Sequence, residues 1–231
     1  MARGGRRAGR PARGHRRVLK KLVALAILLG LLAVADVAAR GAAESELADR
    51  VHGRVPEAHR VDAGISSFPF IGRLLAAGTV GEVRVAAIGV KLAGGVDAES
   101  IVVDAHRVSI DRDQLLGHRR VVLTGVGHGD AKVTVTAAAI SSALGMPVQL
   151  SRNGVQVSYR GQTVAATVGF RAGAIVVDIA GVASLRVPMP KLPLVPCQPS
   201  ATVLGDRVVL SCAFDRVPAE MIGAANAVSN A

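Results

Sequence analysis

The sequence predicts an α+β protein in which a long, strongly curved antiparallel sheet wraps around a helix, behind an N-terminal membrane segment. Apolar and polar residues alternate over long stretches such as 79–92 and 99–110, which is typical of extended strands. Helical spacing is confined to 37–55, to short stretches after Pro69 and Thr136, and to the C-terminus. We therefore expect about ten strands with three or four helices.

The core of this protein must be aliphatic, because half of the residues are apolar but only 2% are aromatic. Some strands, such as 163–170 and 174–181, are apolar almost throughout. Strands of that kind need cover on both faces. A helix or a bound lipid inside a curved sheet would provide that cover.

The basic charge of the chain belongs to its N-terminus. Nine of the 28 Lys and Arg residues fall in 1–21 without any acid, which leaves 19 basic against 17 acidic residues elsewhere. We predict that 1–21 is a disordered cytoplasmic tail. Its Gly9-Arg10-Pro11 sequence resembles minor-groove DNA hooks, but a charge run that orients the following membrane segment is the favoured interpretation. No nucleic-acid partner is expected.

Residues 22–39 form the predicted membrane segment. The run from Leu22 to Ala35 is apolar, and Asp36 is the only acid before Arg40. A retained transmembrane anchor and a cleaved signal peptide both fit, since small residues suitable for cleavage occur at 33–35 and 37–39. In either case the remainder, 40–231, is predicted to be an exported domain on the extracytoplasmic side of the plasma membrane.

The two cysteines are consistent with export. Cys197 and Cys212 flank a predicted hairpin whose turn is Gly205-Asp206, which would bring the two sulfurs together. We expect a disulfide; two buried thiols are the alternative.

No pattern for catalysis or metal binding is evident. The chain lacks a Gly-x-Ser-x-Gly elbow, a phosphate-binding loop and a His-Glu-x-x-His motif. His52 and His59 have no third ligand nearby. Asp104 and His106 are expected on an exposed polar strand face, and the glycine-rich 125–130 is expected to be a turn. We expect no enzyme, no cofactor and no metal.

The apolar segment that ends at Asp36 is followed by an Ala- and Glu-rich helix, a strand, the Phe-Pro-Phe-Ile stretch 68–71 and the alternating stretch 78–92. This order, with a match from residue 36 to about residue 225, resembles the LmeA family of actinobacterial envelope proteins. The most specific part is Ser67-Phe68-Pro69-Phe70-Ile71, with Leu74-Leu75 and Gly78 behind it; many relatives have Gly where this chain has Ser67. The resemblance implies a BPI-like tubular lipid-binding module. It also implies binding of a phospholipid such as phosphatidylinositol, and a role in mannan elongation on lipoglycans.

The Phe-Pro-Phe stretch is the candidate lipid-binding site. Its members are Phe68, Pro69, Phe70, Ile71, Leu74 and Leu75. Pro69 is expected to hold the chain extended, so that both rings point to the same side. The rings either staple the following helix to the sheet or line the mouth of a lipid slot, with Phe70 the more buried.

Two functions from different classes fit these observations. The first is an envelope phospholipid-binding or transfer protein that supports lipoglycan elongation, with envelope glycosyltransferases as possible partners. The second is a scaffolding envelope protein without a lipid ligand, whose apolar interior is only a core. Lipid in the purified protein separates the two.

Overall fold

A computed structural model describes residues 13–92, 95–151, 154–159, 161–171, 174–179, 183–188, 197 and 200–229. The helices are α1 (Arg13–Arg54), α2 (Phe70–Ala77), α3 (Arg112–His118), α4 (Ala137–Leu144) and α5 (Ala219–Ser229). The strands are β1 (Arg60–Ser66), β2 (Thr79–Lys91), β3 (Asp97–Ile110), β4 (Leu123–Thr136), β5 (Val148–Ser151), β6 (Gly154–Tyr159), β7 (Gln162–Arg171), β8 (Ala174–Ile179), β9 (Ala183–Pro188), β10 (Ser200–Leu204) and β11 (Arg207–Phe214).

The strands form two antiparallel sheets. Six strands are ordered β1-β2-β3-β4-β11-β10, and five follow as the meander β5-β6-β7-β8-β9. The predicted α+β class is confirmed, and β2 and β3, at 13 and 14 residues, are the long strands expected. Strand β4 is also 14 residues long. Long strands let one sheet carry several packed regions along its length.

One face of the six-stranded sheet is apolar and the other is polar. Alternate residues of β2 to β4 carry the apolar side chains, and the intervening positions include Arg84, Asp104 and Lys132. Arg84 forms an ion pair with Asp104 at 3.5 Å, and the rings of His106 and His128 stack with centroids 4.7 Å apart. The expected polar strand face is therefore present, but it is not exposed throughout, because Asp104 is only 8% exposed.

Two core clusters lie at opposite ends of the apolar face. The first, near α4, contains Ala87, Ala98, Val133 and Leu210. The second, near α2, contains Ile65, Phe70, Val80 and Val108. Ala39 and Ala43 of α1 pack against the second cluster, and Val55, just past the end of α1, packs against the first. Helix α1 therefore runs along the apolar face beside β1.

Helix α4 joins the two sheets. Its Ile140 packs both against the first cluster of the large sheet and against the core of the meander, where Val157 is fully buried. Thr136 begins α4 by accepting the N–H of Ala139, and Gly145 ends it in the left-handed conformation.

Four elements differ from the expectation. The glycine-rich 125–130 is no turn, because β4 continues through it as one strand. The chain turns into α3 after Ile110, since Asp111 caps that helix through the N–H groups of Asp113 and Gln114. Strand β9 occupies part of the proline-rich segment, and α1 begins at Arg13, inside the predicted tail.

Glycines in β4 are explained by close packing. A Cβ at Gly129 would collide with the carbonyl oxygen of Asp104 and would lie 2.6 Å from the ring of Phe214. A Cβ at Gly127 would lie 2.9 Å from Nε of Arg107. Both glycines therefore make room for side chains of neighbouring strands and do not mark a turn.

Candidate functional site

The Phe-Pro-Phe stretch places its two rings in different surroundings. Phe70 is 6% exposed and belongs to the core cluster near α2, whereas Phe68 is 72% exposed. Ile71 and Leu74 pack against that cluster, and Leu75 lies on the outer side of α2. Phe70 is therefore the staple between helix and sheet, and it is the more buried of the two, as expected.

The prediction that both rings share one side is wrong. The period of two holds only along a strand, and β1 ends at Ser66. Phe70 is already the first residue of α2, so the helix sets its direction and turns its ring inward.

Asp36 of α1 holds the beginning of α2. Its carboxylate accepts the backbone N–H of Phe70 at 2.9 Å and that of Ile71 at 2.7 Å. The first N–H groups of a helix lack intrahelical acceptors, and Pro69, at the capping position, provides no side-chain bond. An ionised carboxylate there is also favoured by the helix dipole. The 6% exposed Asp36 is thus a cap supplied from 34 residues away.

A second acidic residue of α1 binds β1. Glu44 accepts the N–H of Ile65 at 2.7 Å, and Arg40 lies 3.7 Å from the same carboxylate oxygen. Asp36 and Glu44 are two turns of helix apart. Together they fix the direction in which α1 leaves the domain.

Between the two core clusters lies a row of small apolar residues that belongs to neither. The strand registers place Ala63, Val85, Val103 and Ala131 side by side, with Cys212 at the end of the row. Each of the first four is half-buried and, among the described residues, is not a member of a core cluster. We call these four residues the open band.

The open band is bordered by α1. Leu47 and Val51 lie on the same side of the helix as Ala43 and Val55, at steps of four residues, and both are half-buried. With neighbouring strands about 4.8 Å apart, the four strands of the band span about 14 Å. The result is an elongated apolar strip with an aliphatic floor and a helical side wall.

A cavity of about 520 Å³ lies on the other side of the second cluster, between β3, β4 and α5. Its lining mixes cationic and apolar side chains, including Arg107, Arg216, Val126 and Ile222. Arg107 adopts a left-handed conformation with φ of 53°, and its guanidinium lies 3.4 Å from Nδ1 of His128. Asp215 lines the same cavity, so the local charge is mixed.

The predicted disulfide between Cys197 and Cys212 is confirmed, with the Cα atoms 5.7 Å apart. The Gly205-Asp206 turn of the β10–β11 hairpin is present as well, with Leu204 opposite Arg207. Cys212 ends the row that contains the open band, so the bridge lies at the outer end of that row. Within the described part of the chain, no three His, Cys, Asp or Glu side chains group as metal ligands.

Helix α1 has the length and the composition of a membrane span. From Leu22 to Val37 its side chains are exposed, except for Asp36. Among the described residues, α1 is the one helix long and apolar enough to cross a bilayer. The boundary predicted between residues 39 and 40 falls inside this continuous helix. Asp36 and Ala39, on the membrane side of that boundary, contact the folded domain.

The fold defines an α+β protein whose large antiparallel sheet leaves an apolar strip between two cores, beside a helix that can enter a membrane. The comparison with protein families adds the class of ligand. The model of the LmeA-like phospholipid-binding family matches residues 34–221, so the chain belongs to that family. No curated protein and no solved structure matches.

Sequence reasoning missed three parts of this site. Asp36 was noted only as an acid in the apolar run. A carboxylate at the end of an apolar helix indicates that a hydrogen-bonding partner is needed for it. Sequence reasoning did not find the open band, because small and aliphatic residues at alternate positions have the same pattern in a core. It did not separate the surroundings of Phe68 and Phe70.

Proposed function

We propose that this protein is a membrane-anchored envelope phospholipid-binding protein in which the open band contacts the acyl chains of the lipid. The observation that carries the proposal is the row Ala63, Val85, Val103 and Ala131, which is apolar, half-buried and outside both cores. Burying a methylene group is worth about 0.8 kcal/mol, so an acyl chain laid along such a strip gains several kcal/mol. Membership of a phospholipid-binding family supports this ligand class.

The anchor is α1, kept as a transmembrane helix and not removed as a signal peptide. Cleavage after Ala39 would remove Asp36, which caps α2, and Ala39 itself, which packs against the second cluster. Cleavage after Ala35 would leave both residues in the domain, but α1 is one continuous helix of 42 residues through both candidate sites, which supports the retained helix. The Lys and Arg residues before Leu22 favour a cytoplasmic N-terminus, which places the domain on the extracytoplasmic side.

The resemblance to the LmeA family supports a narrower role. Phosphatidylinositol is the lipid that it suggests, and the process is mannan elongation on lipoglycans, with envelope glycosyltransferases as partners. In this role the protein binds and presents lipid, or transfers it, and does not catalyse a reaction.

Photo-crosslinking of the full chain tests the proposal. The protein is reconstituted into liposomes that contain a trace of phosphatidylinositol with a diazirine near the middle of one acyl chain. After irradiation, crosslinked peptides are mapped by mass spectrometry. Peptides from the apolar half of α1 should be labelled in any case, and they show that the reaction works.

The expected result is additional label on the peptides of β2, β3 and β4 that carry the open band. Label confined to α1 would contradict lipid binding on the band and favour a scaffolding protein. Liposomes with the same probe on phosphatidylcholine or phosphatidylglycerol show whether the inositol headgroup is selected.

A further inference from the structure

We propose that the end of the domain formed by Phe68, α2 and α3 rests on an anionic phospholipid bilayer surface. Phe68 and Leu75 enter the boundary between headgroups and acyl chains, and the arginines around them face lipid phosphates. This surface depends on the proposed membrane insertion of α1, but it is distinct from the open band, which lies on the inner face of the sheet.

The length of α1 sets the height of the domain above the membrane. The apolar run from Leu22 to Ala35 has 14 residues, which as a helix measure about 21 Å. The hydrocarbon core of a bilayer is about 30 Å thick. Even with Lys21 extended toward the opposite headgroups, the run ends at or below the outer boundary. Asp36 therefore lies at that boundary.

Asp36 fixes α2 at the same height. Its two hydrogen bonds to Phe70 and Ile71 place the beginning of α2 beside the membrane end of α1. Phe68 precedes Phe70 by two residues, so its Cα lies within about 7 Å of that point along the chain. Phe68 is 72% exposed, so its ring is free to enter the interface at this height.

The exposed apolar residues concentrate at this end of the domain. Outside α1, the exposed large apolar side chains among the described residues are Phe68, Leu75, Ile88, Leu116, Val121 and Leu204. Four of these six belong to Phe68, α2, α3 and the residues that follow α3. Concentration of exposed apolar side chains on one surface is typical of a contact site.

Helix α3 is fastened beside α2. Arg112 of α3 donates to the carbonyl oxygens of Ala76 at 2.7 Å and of Leu75 at 3.3 Å, and Ile110 donates to the carbonyl oxygen of Gly78 at 2.7 Å. The C-terminus of α2 and the beginning of α3 therefore lie next to each other. We call the exposed apolar side chains at this end of the domain, Phe68, Leu75 and Leu116, the rim.

The positive charge around this rim favours an anionic membrane. Arg73, Arg112, Arg119 and Arg120 are exposed there, against the single exposed acid Asp113 among the described residues of α2 and α3. Each Lys or Arg near an anionic membrane surface adds to the attraction between the protein and the lipid phosphates. A rim that combines apolar side chains with an excess of arginines suits the membrane interface, because the arginines contact the phosphates and the apolar side chains contact the acyl chains.

A single tryptophan reports the contact, because the chain has none of its own. The full-length Phe68→Trp variant is placed in nanodiscs of phosphatidylglycerol and phosphatidylcholine, with or without lipids brominated at shallow acyl positions. Leu204→Trp is the matched control: Leu204 is 58% exposed, and its strand end lies beside α4, at the opposite end of the sheet.

The expected result is that the Phe68→Trp variant emits at shorter wavelength than Leu204→Trp and loses most of its fluorescence to the brominated lipid, while Leu204→Trp keeps its intensity. Equal emission and no quenching at position 68 would overturn the proposal. Two charge reversals are each combined with Phe68→Trp. Arg120→Glu should weaken the quenching, whereas Lys91→Glu, which replaces an exposed cation at the other end of β2, should leave it unchanged. Equal effects of the two reversals would refute the contact between the arginines and the phosphates.

A lipid bound on the open band must be distinguished from the bilayer as the source of quenching. In a Phe68→Trp variant that also carries Val103→Gln, crosslinking to the band should fall while quenching at position 68 persists. If the quenching disappears when lipid is lost from the open band, the tryptophan at position 68 contacts only the bound lipid and not the bilayer. If the Phe68→Trp protein with Val103 intact is quenched but shows no crosslink to the open band, the proposed lipid-binding function is wrong and the membrane contact is still supported.

Discussion

The carboxylate of Asp36, on the helix that precedes the domain, accepts the N–H groups of Phe70 and Ile71 at the start of α2. One acidic residue thus joins the apolar helix, the Phe-Pro-Phe stretch and the edge of the large sheet. The orientation of the domain relative to a membrane depends on this contact and on the bond from Ile65 to Glu44.

Replacement of Asp36 by Ala should destabilise the full-length protein by about 1–3 kcal/mol, because two N–H groups of α2 lose their charged acceptor in a buried place. Chemical unfolding in detergent, followed by circular dichroism, measures the change. Asp49→Ala removes an exposed carboxylate from the same helix and should have little effect. Equal stability of the two variants would show that the cap is dispensable.

The position of truncation should decide whether the domain folds without the membrane segment. A fragment of residues 36–231 keeps Asp36 and Ala39 and should unfold cooperatively. A fragment of residues 41–231 lacks both and should be less stable by about 1–3 kcal/mol. Thermal unfolding of the two purified fragments compares them. A longer fragment that is no more stable than the shorter one would contradict the role of residues 36–40.

The two phenylalanines should behave differently when each is shortened to Ala. Phe70→Ala should cost about 3–5 kcal/mol, as expected for a buried ring in a core. Phe68→Ala should change stability by less than about 0.5 kcal/mol, because the exposed ring loses few contacts. Melting temperatures of the full-length variants measure both. A large loss at Phe68 would mean that its ring packs on the protein.

The glycines of β4 should tolerate substitution unequally. Gly129→Ala should cost about 1–3 kcal/mol, since its Cβ meets the backbone of β3 and the ring of Phe214. Gly125→Ala is the matched control, because its Cβ would find only ordinary contacts at 3.7 Å or more with Ser109. Unfolding curves of the two variants provide the comparison, and equal losses would show that close packing does not explain the glycine at position 129.

Local patterns were enough to predict much of this fold. Alternation located β2 and β3. Gly78 and Gly145 end α2 and α4 in the left-handed conformation that favours glycine. The Gly205-Asp206 turn located the hairpin that the disulfide joins. In each case residues close in the chain determine the structure.

Contacts between distant residues were not predictable in the same way. The partner of Asp36 lies 34 residues further along the chain, and nothing near either end specifies it. Gly129 is required by the ring of Phe214, which reaches it only through the pairing of β4 with β11. Val103 looks the same in the sequence whether it faces a packed core or an open strip, because alternation fixes the face but not what covers it.

Lipid binding on the open band is tested by comparing Val103→Gln with Val102→Gln. The yield of acyl-chain crosslinks on β2 to β4 is measured for each variant at lipid concentrations below saturation. The substitutions are identical and one residue apart, but Val103 faces the open band and Val102 the polar side, opposite Lys132. Val103 is half-buried, so the lipid covers only the rest of its side chain, which is worth about 1 kcal/mol. An unpaired amide against an acyl chain costs about 1–3 kcal/mol more, and the sum corresponds to at least about tenfold in affinity. The account predicts a loss of that size for Val103→Gln and near-normal crosslinking for Val102→Gln. Equal yields from two folded variants would contradict lipid binding on the open band.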